Sequence, residues 1–101
     1  MKGEEFKQKM LEIKKQLLDI MYEVEIEDAY ICNQEDFVYF DTWIEKQLQK
    51  LDYAVGQYEK GYTIKDEEYH DRTYSDFCII LSNTKKHWKK LQEENDYIRL
   101  R

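Results

Sequence analysis

Residues 29–45 read AYICNQEDFVYFDTWIE, and two folds compete for them. In one, Asn33, Gln34, Glu35 and Asp36 supply the cap and first-turn acids of a helix that carries Phe37, Phe40 and Ile44 along one face. In the other, Thr42-Trp43-Ile44-Glu45 is a capping box for a helix starting at 43, and residues 29–32 and 37–40 form short strands around NQED. The first choice gives an all-α protein, an antiparallel three-helix bundle. The second gives a mainly α protein with a small β-hairpin around residues 29–40. The continuous helix is the expectation, since Phe37, Phe40, Ile44, Leu48, Leu51, Val55 and Tyr58 fall in one stripe with steps of three and four.

Upstream, Phe6, Met10, Ile13, Leu17, Ile20 and Val24 recur at steps of four and three, which predicts a first helix with one apolar face. Downstream, Gly61 stands where a chain leaves a helix in the left-handed conformation, so the second helix should end near Lys60. A third stripe, Tyr69, Thr73, Phe77, Ile80, Thr84, Trp88 and Leu91, predicts a helix of roughly 25–30 residues, with Thr63 and Asp66 spaced as a capping pair before it. Acids at 66–68 and lysines at 85, 86, 89 and 90 suit its dipole. Residues 97–101 (YIRLR) alternate, and read as a frayed tail or a short terminal strand.

Composition agrees with helices. The 101 residues contain no proline and three glycines, too little punctuation for an all-β fold that turns every 8–12 residues or so. One domain spanning 1–101 is expected, and a chain of this length buries roughly 60–70% of its unfolded surface. Cys32 and Cys78 have no close spacing, no signal peptide is evident, and the longest apolar run, Phe77 to Leu81, is far too short to span a bilayer. A soluble, cytoplasmic protein with free thiols is expected.

Charge is segmented. The chain has net charge −6, and residues 23–41 alone carry seven acidic side chains and no basic one. In an up-down-up bundle, residues 85–90 (KKHWKK) lie level with residues around 33–38, and the acids of 62–76 lie near Lys2, Lys7 and Lys9. Part of the pattern is then internal complementarity, worth a few tenths of a kcal/mol per exposed pair.

Chemical signatures are sparse. There is no Gly-rich phosphate loop and no G-x-S-x-G elbow, and the only serines are Ser75 and Ser82. Glu67-x-x-His70 followed by Asp71 has the i, i+3 spacing of carboxylate–histidine metal sites, but the second such pair that those sites need is missing. The plainer reading makes His70 part of a solvated helix N-terminus, so no catalytic residue, metal or cofactor is expected. KKHWKK offers phosphate-binding ridges, yet Trp88 belongs to the core stripe and the net charge repels nucleic acid, so no direct nucleic-acid binding is expected.

Nine tyrosines exceed what the apolar stripes need, and several stand beside carboxylates. Tyrosine supplies large contact area at low entropy cost and is enriched at protein interfaces, although it also caps small bundles with its hydroxyl in water. The expected function is that of a non-enzymatic protein-binding module: a small acidic inhibitor, of the kind phage and mobile elements use against host defence. It would occlude a basic, nucleic-acid-binding face of a larger protein such as a nuclease. The partner-binding candidates are Tyr22, Glu23, Glu25, Glu27, Asp28, Tyr30, Glu35, Asp36 and Tyr39. The alternative is a self-assembling helical adaptor, a homodimer held by stripes left over after the bundle forms. No membrane partner is expected.

Overall fold

The computed structural model describes residues 1–30 and 35–99, with side chains at 1–27 and 35–94. It contains three helices, α1 (Gly3–Tyr30), α2 (Glu35–Glu59) and α3 (Glu67–Arg99), packed into a rod of 55 × 19 × 16 Å. The length follows from the helices, since 33 residues at 1.5 Å rise make α3 about 50 Å long. Among the described residues there is no strand, so the hairpin alternative fails: Ala29 and Tyr30 close α1, and Phe37 to Phe40 lie inside α2. The rest of that expectation, at residues 31–34, lies outside the described ones. Thr42 caps nothing, because its hydroxyl donates back to the Val38 carbonyl at 2.9 Å in mid-helix.

The two N-terminal stripes are buried as expected. Phe6, Met10, Ile13, Leu17, Ile20 and Val24 meet Phe37, Phe40, Ile44, Leu48, Leu51 and Val55 in one apolar cluster, with Tyr58 half-buried at its edge. Each fully buried side chain of this kind contributes about 1.5–3 kcal/mol. α1 is the shared wall, for α2 and α3 each pack along it and touch one another much less.

The third stripe needs correction. The buried positions of α3 are His70, Phe77, Leu81, Thr84, Trp88 and Leu91, whereas Tyr69, Thr73 and Ile80 are only half-buried. Steps of four and three from residue 70 through Tyr74 reproduce this face. His70 is therefore not solvated: it is fully buried and stacked on Phe6 at 4.3 Å, with Tyr58 edge-on at 5.6 Å. Its Nε2 lies 3.3 Å from Thr63 Oγ1, and its buried Nδ1 meets no hydrogen-bond partner. Thr63 thus holds the histidine, while Asp66 alone caps α3 by accepting the Tyr69 N–H at 2.9 Å. α3 runs through Arg99, so residues 97–99 are helical and not strand.

Between α2 and α3 the chain turns through Gly61 at φ +86°. The Gly61 N–H donates to Tyr58 O and the Tyr62 N–H to Gln57 O, the paired bonds of a Schellman closure. Ion pairs tie this end and the middle of the rod: Lys7 to Glu59, Lys14 to Asp52, and the Met1 ammonium to Asp71 at 2.9 Å. Of the acids of 62–76, Asp71 meets the start of α1 as expected, but through the Met1 ammonium, while Lys7 pairs with Glu59 and Lys9 with Glu5. Burial, and beside it the Glu4 carboxylate that accepts the Tyr58 hydroxyl, push that phenol above its ordinary pKa.

Two glycines separate conformational need from dispensability. Gly56 lies inside α2, and an added methyl would meet nothing within 4 Å, so Gly56→Ala is expected to stabilise the protein by about 0.5–1 kcal/mol through helix propensity. Gly61→Ala, forced into a left-handed backbone, is expected to destabilise it by about 1 kcal/mol. Urea midpoints of the two variants should move in opposite directions, and a shared direction would contradict the turn geometry.

Candidate functional site

Because α1 and α2 are antiparallel and joined through residues 31–34, the last turns of α1 and the first turn of α2 share one end of the rod. The late turns of α3 reach the same end, as Trp88 shows by packing on Phe37 and Phe40 with ring centroids 5.8 and 6.1 Å away. Most of the acidic stretch therefore gathers at a single end.

The candidate residues divide among three directions. Tyr22, 65% exposed, and Glu25 lie on the outer side of α1, away from the core stripe. Glu23 turns toward α3, where its Oε2 accepts the Trp88 indole N–H at 2.8 Å. Glu27 is half-buried, and the side chains of Asp28 and Tyr30 are outside the described ones. Glu35, Asp36 and Tyr39, the last 71% exposed, project from the start of α2. The seven candidates with described side chains do not make one flat surface.

The Glu23 bond belongs to a seam between α1 and α3. Gln16, Asp19, Ile20 and Glu23 line one side of a shallow cleft there, with Lys85, Trp88, Lys89 and Gln92 on the other. Lys85 Nζ donates to Gln16 Oε1 at 2.8 Å across it. The KKHWKK cluster is level with the start of α2, as expected, but its hydrogen bonds run to α1. Trp88, only 5% exposed, is a core side chain with its N–H satisfied and presents no face for a base to stack on.

A second feature takes in only Asp36 and Tyr39 of the candidates drawn from sequence. Since α2 and α3 diverge on the side away from α1, a groove of about 590 Å³ opens between them. Asp36, Tyr39, Phe40 and Trp43 form its α2 wall, and Asn83, His87, Lys90, Leu91 and Glu94 its α3 wall. Phe40 is the floor, 4% exposed, with the Trp43 ring 12° from parallel at 6.4 Å and the His87 ring at 4.8 Å. The signal for this wall was in the sequence: positions 36, 39, 40 and 43 share a helix face once the helix begins at 35 rather than 43.

The ion pairs concentrate away from Glu25, Glu35 and Asp36. The ion pairs shown between described residues are Met1 to Asp71, Lys7 to Glu59, Lys9 to Glu5 and Lys14 to Asp52, and none takes in Glu23, Glu25, Glu35 or Asp36. Among the described residues no cluster of three or more His, Cys, Asp or Glu side chains is placed to hold a metal ion, and no helix is long and apolar enough to cross a membrane. No protein-family model, curated protein or solved structure matches the chain.

Glu23 and Glu25 separate a structural carboxylate from an outward one. Glu23→Ala orphans the buried Trp88 N–H and is expected to lower stability by about 1–2 kcal/mol, while Glu25→Ala should stay within about 0.5 kcal/mol of the parent. Thermal melts of both variants check this, and equal effects would mean that the indole bond contributes nothing.

Proposed function

We propose that the chain is a non-enzymatic protein-binding module, a small acidic inhibitor that occludes a basic, nucleic-acid-binding face of a larger protein. The observation that carries this reading is the gathering of exposed carboxylates, Glu25 from α1 and Glu35 and Asp36 from α2, at one end of the rod beside the exposed Tyr39. Residues 23–41 contain no basic side chain to neutralise them. Carboxylates repeated along helices stand in for backbone phosphates, and an exposed ring gives desolvated contact where a base would stack. Small, acidic helical chains of this composition are common among phage and mobile-element proteins that block host nucleases, and the proposed partner is of that class.

Occlusion of this kind works through field and bulk, without chemistry. The field accelerates encounter with a basic groove and is screened within about 8–10 Å at ordinary ionic strength. Once docked, a rod 55 Å long obstructs a groove meant for nucleic acid.

A second reading has its own observation. Leu11, Leu18, Tyr22 and Ile26 remain 38–65% exposed along the outer side of α1, a leftover stripe that a second copy of the chain would cover. Set antiparallel, it brings Leu11 level with Ile26 of the second copy and Lys15 level with Tyr22 of the second copy, with Leu18 near the two-fold axis. Light scattering over a concentration series decides this reading: a monomer at the highest concentration removes it.

For the inhibitor reading, the triple variant Glu25→Lys, Glu35→Lys, Asp36→Lys is compared with the parent in capture from cell lysate, followed by nucleic-acid competition on the protein retained. The parent is expected to retain a nucleic-acid-binding protein and displace its nucleic acid, with an association rate falling tenfold or more, on the order expected for steered encounters, as salt is raised. The variant is expected to lose both capture and displacement. Capture unchanged by charge reversal or by salt would overturn the proposal.

A further inference from the structure

The groove between α2 and α3 is an open surface lined by the aromatic side chains Tyr39, Phe40, Trp43 and His87. We infer that it is a guanidinium site, which takes an arginine side chain from the basic surface of the partner. The inference rests on the proposed function and gives its acidic end a specific anchor.

Three features of the groove select a flat cation. Phe40, Trp43 and His87 crowd together, with the Phe40 and Trp43 rings nearly parallel and Trp43 37% exposed at the opening. Aromatic faces carry the negative side of the ring quadrupole, so a cation laid on them is attracted, and a planar guanidinium stacks where a compact ammonium does not. Tyr39 adds a second exposed ring one turn before Trp43 on the same side of α2.

The rim then supplies charge. Asp36 precedes Tyr39 and Phe40 by one turn of α2, and Glu94 stands on the α3 wall. A carboxylate beside an aromatic face accepts two parallel N–H bonds from a guanidinium that is stacked on the ring. Lys90, on the same wall, is the one opposing ammonium among the lining residues, and it sets a sign for the test. A purely apolar occupant would fill the floor but leave the exposed Asp36 and Glu94 carboxylates on the rim unanswered. At about 590 Å³ the groove falls within the range of pockets that enclose small ligands, ample for one arginine side chain.

The experiment needs no partner protein. The full chain is titrated with acetyl-Gly-Arg-Gly-amide and, separately, with the same peptide carrying citrulline, a neutral near-isostere of arginine. The readouts are the NMR resonances of the Trp43 indole N–H and the His87 ring, with the Trp88 indole as internal control. The arginine peptide is expected to move the Trp43 and His87 signals saturably in the millimolar range, and the citrulline peptide to bind at least about fivefold more weakly.

Asp36→Asn with Glu94→Gln should weaken arginine binding by about fivefold, and Lys90→Gln should strengthen it by about twofold. Circular dichroism and an unmoved Trp88 resonance show that these variants remain folded. No saturable shift, equal response to arginine and citrulline, or the reverse order of the charge variants, as an anion site would give, overturns the inference. A silent groove together with charge-sensitive partner capture would sink the anchor and leave the inhibitor reading standing. Arginine binding without such capture would do the opposite.

Discussion

Everything in this rod depends on α1 serving two neighbours with one apolar stripe. Phe6, Met10, Ile13, Leu17, Ile20 and Val24 are buried against both α2 and α3, and a helix has room for one such face about 100° wide. With α1 filling the middle, α2 and α3 lean on it from two sides and spread where they face each other. The groove at Tyr39, Trp43 and His87 is the consequence of that spreading. A bundle with three equal contacts would have buried those rings.

The two ends of the rod are built differently. At the turn between α2 and α3, the Schellman bonds around Gly61, the Asp66 cap, the Thr63 contact to His70 and the stacking of His70 on Phe6 fix the chain closely. Ion pairs from Lys7 to Glu59 and from Met1 to Asp71 add to that end. Each surface pair contributes little, within about 1 kcal/mol; their joint effect is to place opposite charges together and leave that end nearly neutral. At the opposite end Glu25, Glu35 and Asp36 stay exposed, as a surface must if it is to attract a basic partner through solvent.

One carboxylate there has a structural duty. Glu23 accepts the Trp88 indole N–H, satisfying a donor that the core stripe carries inward. A charge that reads as part of an acidic surface in sequence is thus partly committed to the fold, and the outward field rests more on Glu25, Glu35 and Asp36. The KKHWKK cluster is committed in the same way, with Trp88 in the core and Lys85 bonded to Gln16 across the α1–α3 seam.

The sequence by itself determined the three helices, the left-handed exit at Gly61 and the inward faces of α1 and α2. These are local or periodic properties: steps of three and four, one glycine. It also located the acidic stretch, because composition along the chain needs no coordinates. Periodicity alone did not decide the inward face of α3, since stripes from Tyr69 and from His70 merge at Phe77, and only contact with Phe6 and Tyr58 selects His70. Nor did it decide whether Phe37 to Phe40 are helix or strand, because both have β-forming side chains and a plausible cap on either side; burial of Phe37 and Phe40 against Trp88, distant in sequence, makes them helix. The groove was least legible of all. Trp43 sits at the margin of a helical stripe, and whether such a ring is covered depends on how far apart two neighbouring helices stand, a distance set by packing on α1.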